Sequence, residues 1–73
     1  MYIYIDNILI NVNNIVRIFP SPNYKKDEYK VTLVDINNEQ THITTKDEVH
    51  MFKIINTLAA RLDVLNLETI MKL

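Results

Sequence analysis

A chain of 73 residues with a formal net charge of −1, two prolines, no glycine and no cysteine excludes several classes of protein at the outset. So even a balance supplies no long-range field to draw in nucleic acid or an anionic membrane, and a chain without thiols has neither a disulfide framework nor a thiolate metal site. With 48% hydrophobic residues the composition is that of one folded domain spanning residues 1–73, and folding at this length buries only about 60% of the unfolded surface, so stability must come from regular packing or self-association.

The chain opens with two short runs, Met1 to Ile5 and Ile8 to Val12, rich in Ile, Val and Tyr and separated by Asp6-Asn7. Two β-formers flanking a two-residue break predict a hairpin. Tight hairpin turns need positive φ at their central residues, and after glycine it is Asn and Asp that enter the left-handed region most easily. Asn therefore substitutes for Gly. The same reasoning predicts turns at Asn13-Asn14, before the run Ile15 to Phe19, and at Asn37-Asn38. Pro20-Ser21-Pro22-Asn23 is expected to end the third strand, because proline donates nothing to a ladder.

Tyr29 to Ile36 is the longest strand candidate: Tyr29, Val31 and Leu33 alternate with Lys30 and Thr32, which makes one face apolar. Glu39 to Thr44 follows as an edge strand, with Thr41 and Ile43 on one side and Gln40, His42 and Thr44 on the other. Thr45-Lys46-Asp47-Glu48 has the form of a capping box and opens a helix. Beyond it Val49, Phe52, Ile55, Ala59 and Leu62 recur at helical spacing, flanked by Met51 and Leu58, with His50, Lys53, Thr57 and Arg61 opposite. In the tail, either Asn66 caps a short final helix or the first helix runs through; its apolar residues Leu67, Ile70, Met71 and Leu73 are the candidates for self-association. The expected fold is α+β, a four- or five-stranded antiparallel sheet with one face covered by a C-terminal helix.

The missing glycines also bear on chemistry. Phosphate-cradling loops, dinucleotide fingerprints and nucleophile elbows all need glycine for close backbone approach or sharp turning, so none can be present. Ser21, the only serine, stands between two prolines. His42 and His50, the only histidines, are eight residues apart and match no familiar zinc spacing; they are read as surface residues, the alternative being a metal or proton-transfer site with Asp47 and Glu48. No cofactor, no metal and no enzymatic activity are expected.

Two groups remain as binding candidates. Lys25, Lys26 and Lys30, with Arg17 placed to reach them across the sheet and Tyr24 and Tyr29 interleaved, would suit single-stranded nucleic acid through stacking and phosphate pairing, although a pI of 6.0 is low for such a module. Tyr2 and Tyr4 alternate with Ile3 and Ile5, so one pair enters the core and the other is either a contact patch or, in the alternative, a cover for a sheet edge or for the C-terminal tail.

The pattern Asn11, Ile15, Ile18, Pro20, then a β-rich stretch ending His42-Ile43-Thr44 and the helix opening Thr45-Lys46-Asp47-Glu48, resembles at the level of topology the small flagellar and motility proteins of the FlbD family, over roughly Ile3 to Leu58. That family carries glycine in the turns where this chain has Asp6-Asn7 and Asn37-Asn38. The resemblance implies a non-enzymatic regulator working through protein contacts. The bias toward Ile, Asn and Lys is that of an AT-rich genome, such as a low-GC bacterium or its phage. Together these readings predict a small regulator or inhibitor that docks on a larger protein, of the anti-defence or host-takeover kind if phage-borne, and able to form a homodimer. Nucleic-acid binding is the alternative. With no bilayer-length apolar run and no positively charged leader, the expected location is the cytoplasm.

Overall fold

The structure is a computed structural model and describes residues 1–62. In chain order it contains β1 (Tyr2–Ile5), β2 (Ile8–Asn11), a single 3-10 turn (Val12–Asn14), β3 (Ile15–Asn23), β4 (Glu28–Asp35), β5 (Gln40–Thr45) and α1 (Glu48–Arg61). All five expected strands are present and every pairing is antiparallel. They form two sheets, β1-β2 and β3-β4-β5, where the sequence predicts a single sheet of four or five. The reason lies at Val12–Asn14. Asn11 caps this turn by accepting from the Asn13 N–H at 3.0 Å, and the turn redirects the chain so that β3 pairs with β4 and not with β2.

Neither Asn13 nor Asn14 has positive φ; the residues that do are Asp6 (51°), Asn7 (63°), Asp27 (53°) and Asn38 (63°). Asn thus replaces glycine at two of the three expected breaks, and the third is solved by a 3-10 turn instead. The β4-β5 turn is further held by Asp35, whose Oδ1 accepts from the N–H groups of Asn37 and Glu39, each at 2.9 Å.

Pro20 and Pro22 do not end β3, which continues to Asn23 with Pro20 opposite Val31 and Pro22 opposite Tyr29. β3 has a neighbour on one side only. Residues two apart share the parity at which an edge strand turns its N–H outward, so two prolines at this spacing fit without costing a ladder bond. They also close that edge to further pairing.

One core serves both sheets. Val31, Leu33, Ile43 and Met51 are its buried centre, and Ile3, Ile5, Ile10, Ile15, Ile18, Tyr29, Ile54 and Ile55 pack around it. Fully burying a side chain of this kind contributes about 1.5–3 kcal/mol. The helix presents Met51, Ile54, Ile55, Leu58, Ala59 and Leu62, all buried or half-buried, at the spacing i, i+3, i+4, i+7, i+8, i+11 that keeps one stripe inward. Val49 and Phe52, expected in that stripe, are 73% and 42% exposed. The series running through Val49 and Phe52 drifts around the helix, whereas the one starting at Met51 holds a single face.

The helix is capped by Asp47, not by Thr45. Asp47 Oδ1 accepts from the His50 N–H at 2.8 Å, while Thr45 closes β5 and donates from its hydroxyl to the carbonyls of Tyr29 at 2.7 Å and Asp47 at 3.1 Å. At the other end Arg61 lies in the last turn and the Leu62 N–H reaches the Leu58 carbonyl. Leu67, Ile70, Met71 and Leu73 lie outside the described residues.

Candidate contact surface

The outer face of the β1-β2 hairpin is set by its turn. Asp6 and Asn7, both at positive φ, make the kind of two-residue turn whose twist matches the strands it joins. That length fixes the register: Ile3 opposite Ile10, Tyr4 opposite Leu9, Ile5 opposite Ile8. Period-two alternation then sends Ile3, Ile5 and Ile10 to the core and leaves Tyr2, Tyr4 and Leu9 outside. The choice left open by the sequence is settled in favour of the isoleucines. Tyr2, Tyr4 and Leu9 are 64%, 68% and 67% exposed. The Tyr4 hydroxyl donates to Asn7 Oδ1 at 2.8 Å, which ties the ring to the turn beside it. The result is a flat aromatic and aliphatic face with one ring already oriented.

A second group surrounds the β3-β4 turn. Asn23 accepts from the Lys26 N–H at 3.2 Å and Asp27 takes the left-handed conformation, which sets Lys25 and Lys26 exposed at the tip. The Tyr24 and Tyr29 rings meet edge to face with centroids 5.8 Å apart. Tyr29 packs on the core and Tyr24 is exposed. Both phenols titrate above the ordinary tyrosine value. Hydrogen bonding to Glu48 is the main cause for Tyr24; for Tyr29 it is burial, followed by hydrogen bonding to Asp27. Carboxylates therefore stand beside both rings.

Arg17 does not join this group. It pairs with Val34, whereas Lys30 pairs with Ser21, so four residues of β3, roughly 13 Å of strand, separate them. Lys30 also points to the opposite face of β4 from Tyr29.

That opposite face, turned away from the helix, carries Thr32 and Val34, both fully buried between side chains of β3 and β5. The Ser21 and Thr32 hydroxyls are 2.6 Å apart, and Thr32 Oγ1 lies 2.9 Å from His42 Nδ1. This cross-strand chain spans all three strands and satisfies the one buried polar side chain among the described residues. His50, on the helix, is 2.7 Å from Asp47 through Nδ1. The two histidines thus belong to different elements with different partners, and no group of three potential metal ligands is found among the described residues.

Leu9, Val49 and Phe52 are among the exposed apolar residues that the sequence pattern did not single out. Leu9 is recoverable from the hairpin register, which places it opposite Tyr4. Val49 and Phe52 are recoverable from the better-fitting helical series; with Glu48, Lys53 and Asn56 they line an open groove beside Tyr24's partner Glu48. Among the described residues no helix is long and apolar enough to cross a membrane. The chain matches no known protein family, no curated protein and no solved structure.

Proposed function

We propose that the protein acts by binding, not by catalysis, and docks on a larger protein through Tyr2, Tyr4 and Leu9 on the outer face of the β1-β2 hairpin. The observation that carries this reading is the exposure of all three side chains by about two-thirds on a hairpin whose other face is fastened to the core. Tyrosine provides large contact area at little entropic cost, and aromatic residues are enriched at recognition surfaces. The FlbD-like residue pattern supports a regulator working through protein contacts. The AT-rich composition supports a phage or mobile-element product that inhibits a host enzyme or defence protein in the cytoplasm. Such an inhibitor needs a rigid surface more than a pocket.

The test compares three forms of the chain as bait in a host lysate, with mass-spectrometric identification: the unaltered protein, a Tyr2→Ser/Tyr4→Ser/Leu9→Ser variant, and a Val49→Ser/Phe52→Ser variant, each confirmed folded by circular dichroism. One partner captured by the first and third but lost from the second supports the hairpin surface. The purified pair should then lose about 30-fold or more in affinity in the hairpin variant, the size of a hot-spot truncation. Equal capture by all three defeats the proposal.

A second reading, single-stranded nucleic-acid binding through the Tyr24–Lys30 loop, draws on the exposure of Tyr24, Lys25 and Lys26. It ranks lower because Glu48 and Asp27 place negative charge beside both rings, where a phosphate backbone would have to run. A salt-dependent oligonucleotide complex abolished by Lys25→Glu/Lys26→Glu would reverse the ranking.

A further inference from the structure

The three-stranded sheet is finished differently on its two sides. The Asp35 N–H donates to the Glu39 carbonyl at 3.0 Å, and the residues of an antiparallel ladder exchange hydrogen bonds at every second pair. Counting by twos, Leu33 with Thr41, Val31 with Ile43 and Tyr29 with Thr45 are the bonded pairs between β4 and β5. Gln40, His42 and Thr44 therefore turn their N–H and C=O groups away from β4. On the β3 side the Ile36 N–H donates to the Asn14 carbonyl at 2.9 Å, which keeps the same alternation. It places Pro20 and Pro22, opposite Val31 and Tyr29, at the outward positions of β3, where proline removes a donor that had no neighbouring strand to meet.

Nothing comparable guards β5. Its six residues, Gln40–Thr45, include no proline and no formally charged side chain, and Thr41, Ile43, Thr44 and Thr45 are β-branched. Its register with β4 runs without a bulge. Gln40, His42 and Thr44 are exposed, and β4 is the one strand paired with β5 among the described residues. Sheets blunt an edge with proline, charge or a bulge, and an edge without them is a template for another strand.

We propose that a second copy of the chain pairs along this edge, β5 against β5 and antiparallel, so that the two three-stranded sheets become one. With the two-fold axis at His42, Gln40 lies opposite Thr44 of the partner subunit. This is the register that uses every outward residue of both strands, and each bonded pair exchanges two hydrogen bonds. A second copy suits the edge because an isologous contact has to be self-complementary, and an uncharged strand does not repel its own image. Pro20 and Pro22 then bound the enlarged sheet on both sides, so assembly stops at two chains. The contact is independent of the hairpin surface, which lies on β1 and β2.

Amide exchange of the full chain is followed residue by residue by NMR, from dilute solution up to about 1 mM, enough to populate a small interface. Exchange at Gln40, His42 and Thr44 should slow at least threefold as concentration rises, in step with a sedimentation mass approaching that of a dimer, while Thr41 and Ile43 stay protected throughout. Protection of the outward three at every concentration means that the edge is covered within one chain, and free exchange at every concentration means that nothing pairs there. Either result overturns the proposal, as does growth beyond two chains. Thr44→Pro copies the device of β3 without removing a bond to β4, and should weaken association at least tenfold; association at full strength in the folded variant overturns the proposal. A second pair of variants needs no proline. Gln40→Lys/Thr44→Lys and Gln40→Glu/Thr44→Glu each set like charges opposite one another across the axis and should stay monomeric alone, whereas their equal mixture should form the mixed dimer. Self-association of both at the strength of the unaltered chain, or a mixture that stays monomeric, overturns it as well.

Discussion

Met51 and Phe52 are neighbours in sequence, and exchanging their roles changes which side of α1 holds the protein together. Met51 has no exposed surface and touches the centre of the core formed by Val31, Leu33 and Ile43. Met51→Ala removes Cγ, Sδ and Cε from a site with no route for solvent to fill the gap, a change that costs about 2–5 kcal/mol. A chain of 73 residues at typical stability per residue has only about 4–11 kcal/mol in total. The variant should therefore lose a large part of its stability, with a fall in Tm of about 10–40 °C. Phe52 is 42% exposed and faces away from that centre, so Phe52→Ala should cost about 1 kcal/mol or less. Both variants are unfolded in urea and followed by circular dichroism at 222 nm, with the midpoint shift read at unchanged slope. If Phe52→Ala destabilises as much as Met51→Ala, the helix is rotated relative to the orientation described and the packing argument fails with it.

Asn7→Gly and Asn38→Gly, at positions with φ of 63°, should leave Tm unchanged or raise it, since glycine occupies the left-handed region without steric cost; a clear fall at both would show that the side chains matter more than the backbone. Thr32→Val keeps the buried shape but breaks the Ser21–Thr32–His42 chain and should cost about 1–2 kcal/mol in urea unfolding, whereas a neutral outcome would make the chain incidental. Asp47 titrates below its ordinary value near 3.8, chiefly because its carboxylate accepts the His50 N–H and then because of the His50 ring. Its folded form therefore binds protons less readily than the unfolded chain. The resulting stability is present above the unfolded pKa and is lost as pH falls through the folded one. Between pH 6 and pH 2, Asp47→Asn, which retains a good cap, should show a shallower loss of urea midpoint than the unaltered protein; parallel curves would exclude Asp47 as a contributor.

Local patterning determined a good deal of this protein by itself. Each of the five strands is recognisable from its β-branched and aromatic runs, and the turns at Asp6-Asn7 and Asn38 follow from the one property glycine would otherwise provide. The presence of a helix after β5 follows from its apolar repeat, and the composition alone rules out glycine-dependent phosphate sites. These features depend on contacts within a few residues, so the order of residues is enough to specify them.

Three matters depended on contacts distant in sequence. Whether proline ends a strand depends on whether its missing N–H would have faced a neighbour, and only the pairing of β3 with β4 shows that it would not. Which of two overlapping apolar series on α1 turns inward, Met51's or Phe52's, depends on the sheet it meets. Likewise, the choice between isoleucine and tyrosine on β1, and with it the identity of the exposed contact face, was made by the core. An alternating strand offers either side equally until something packs against one of them.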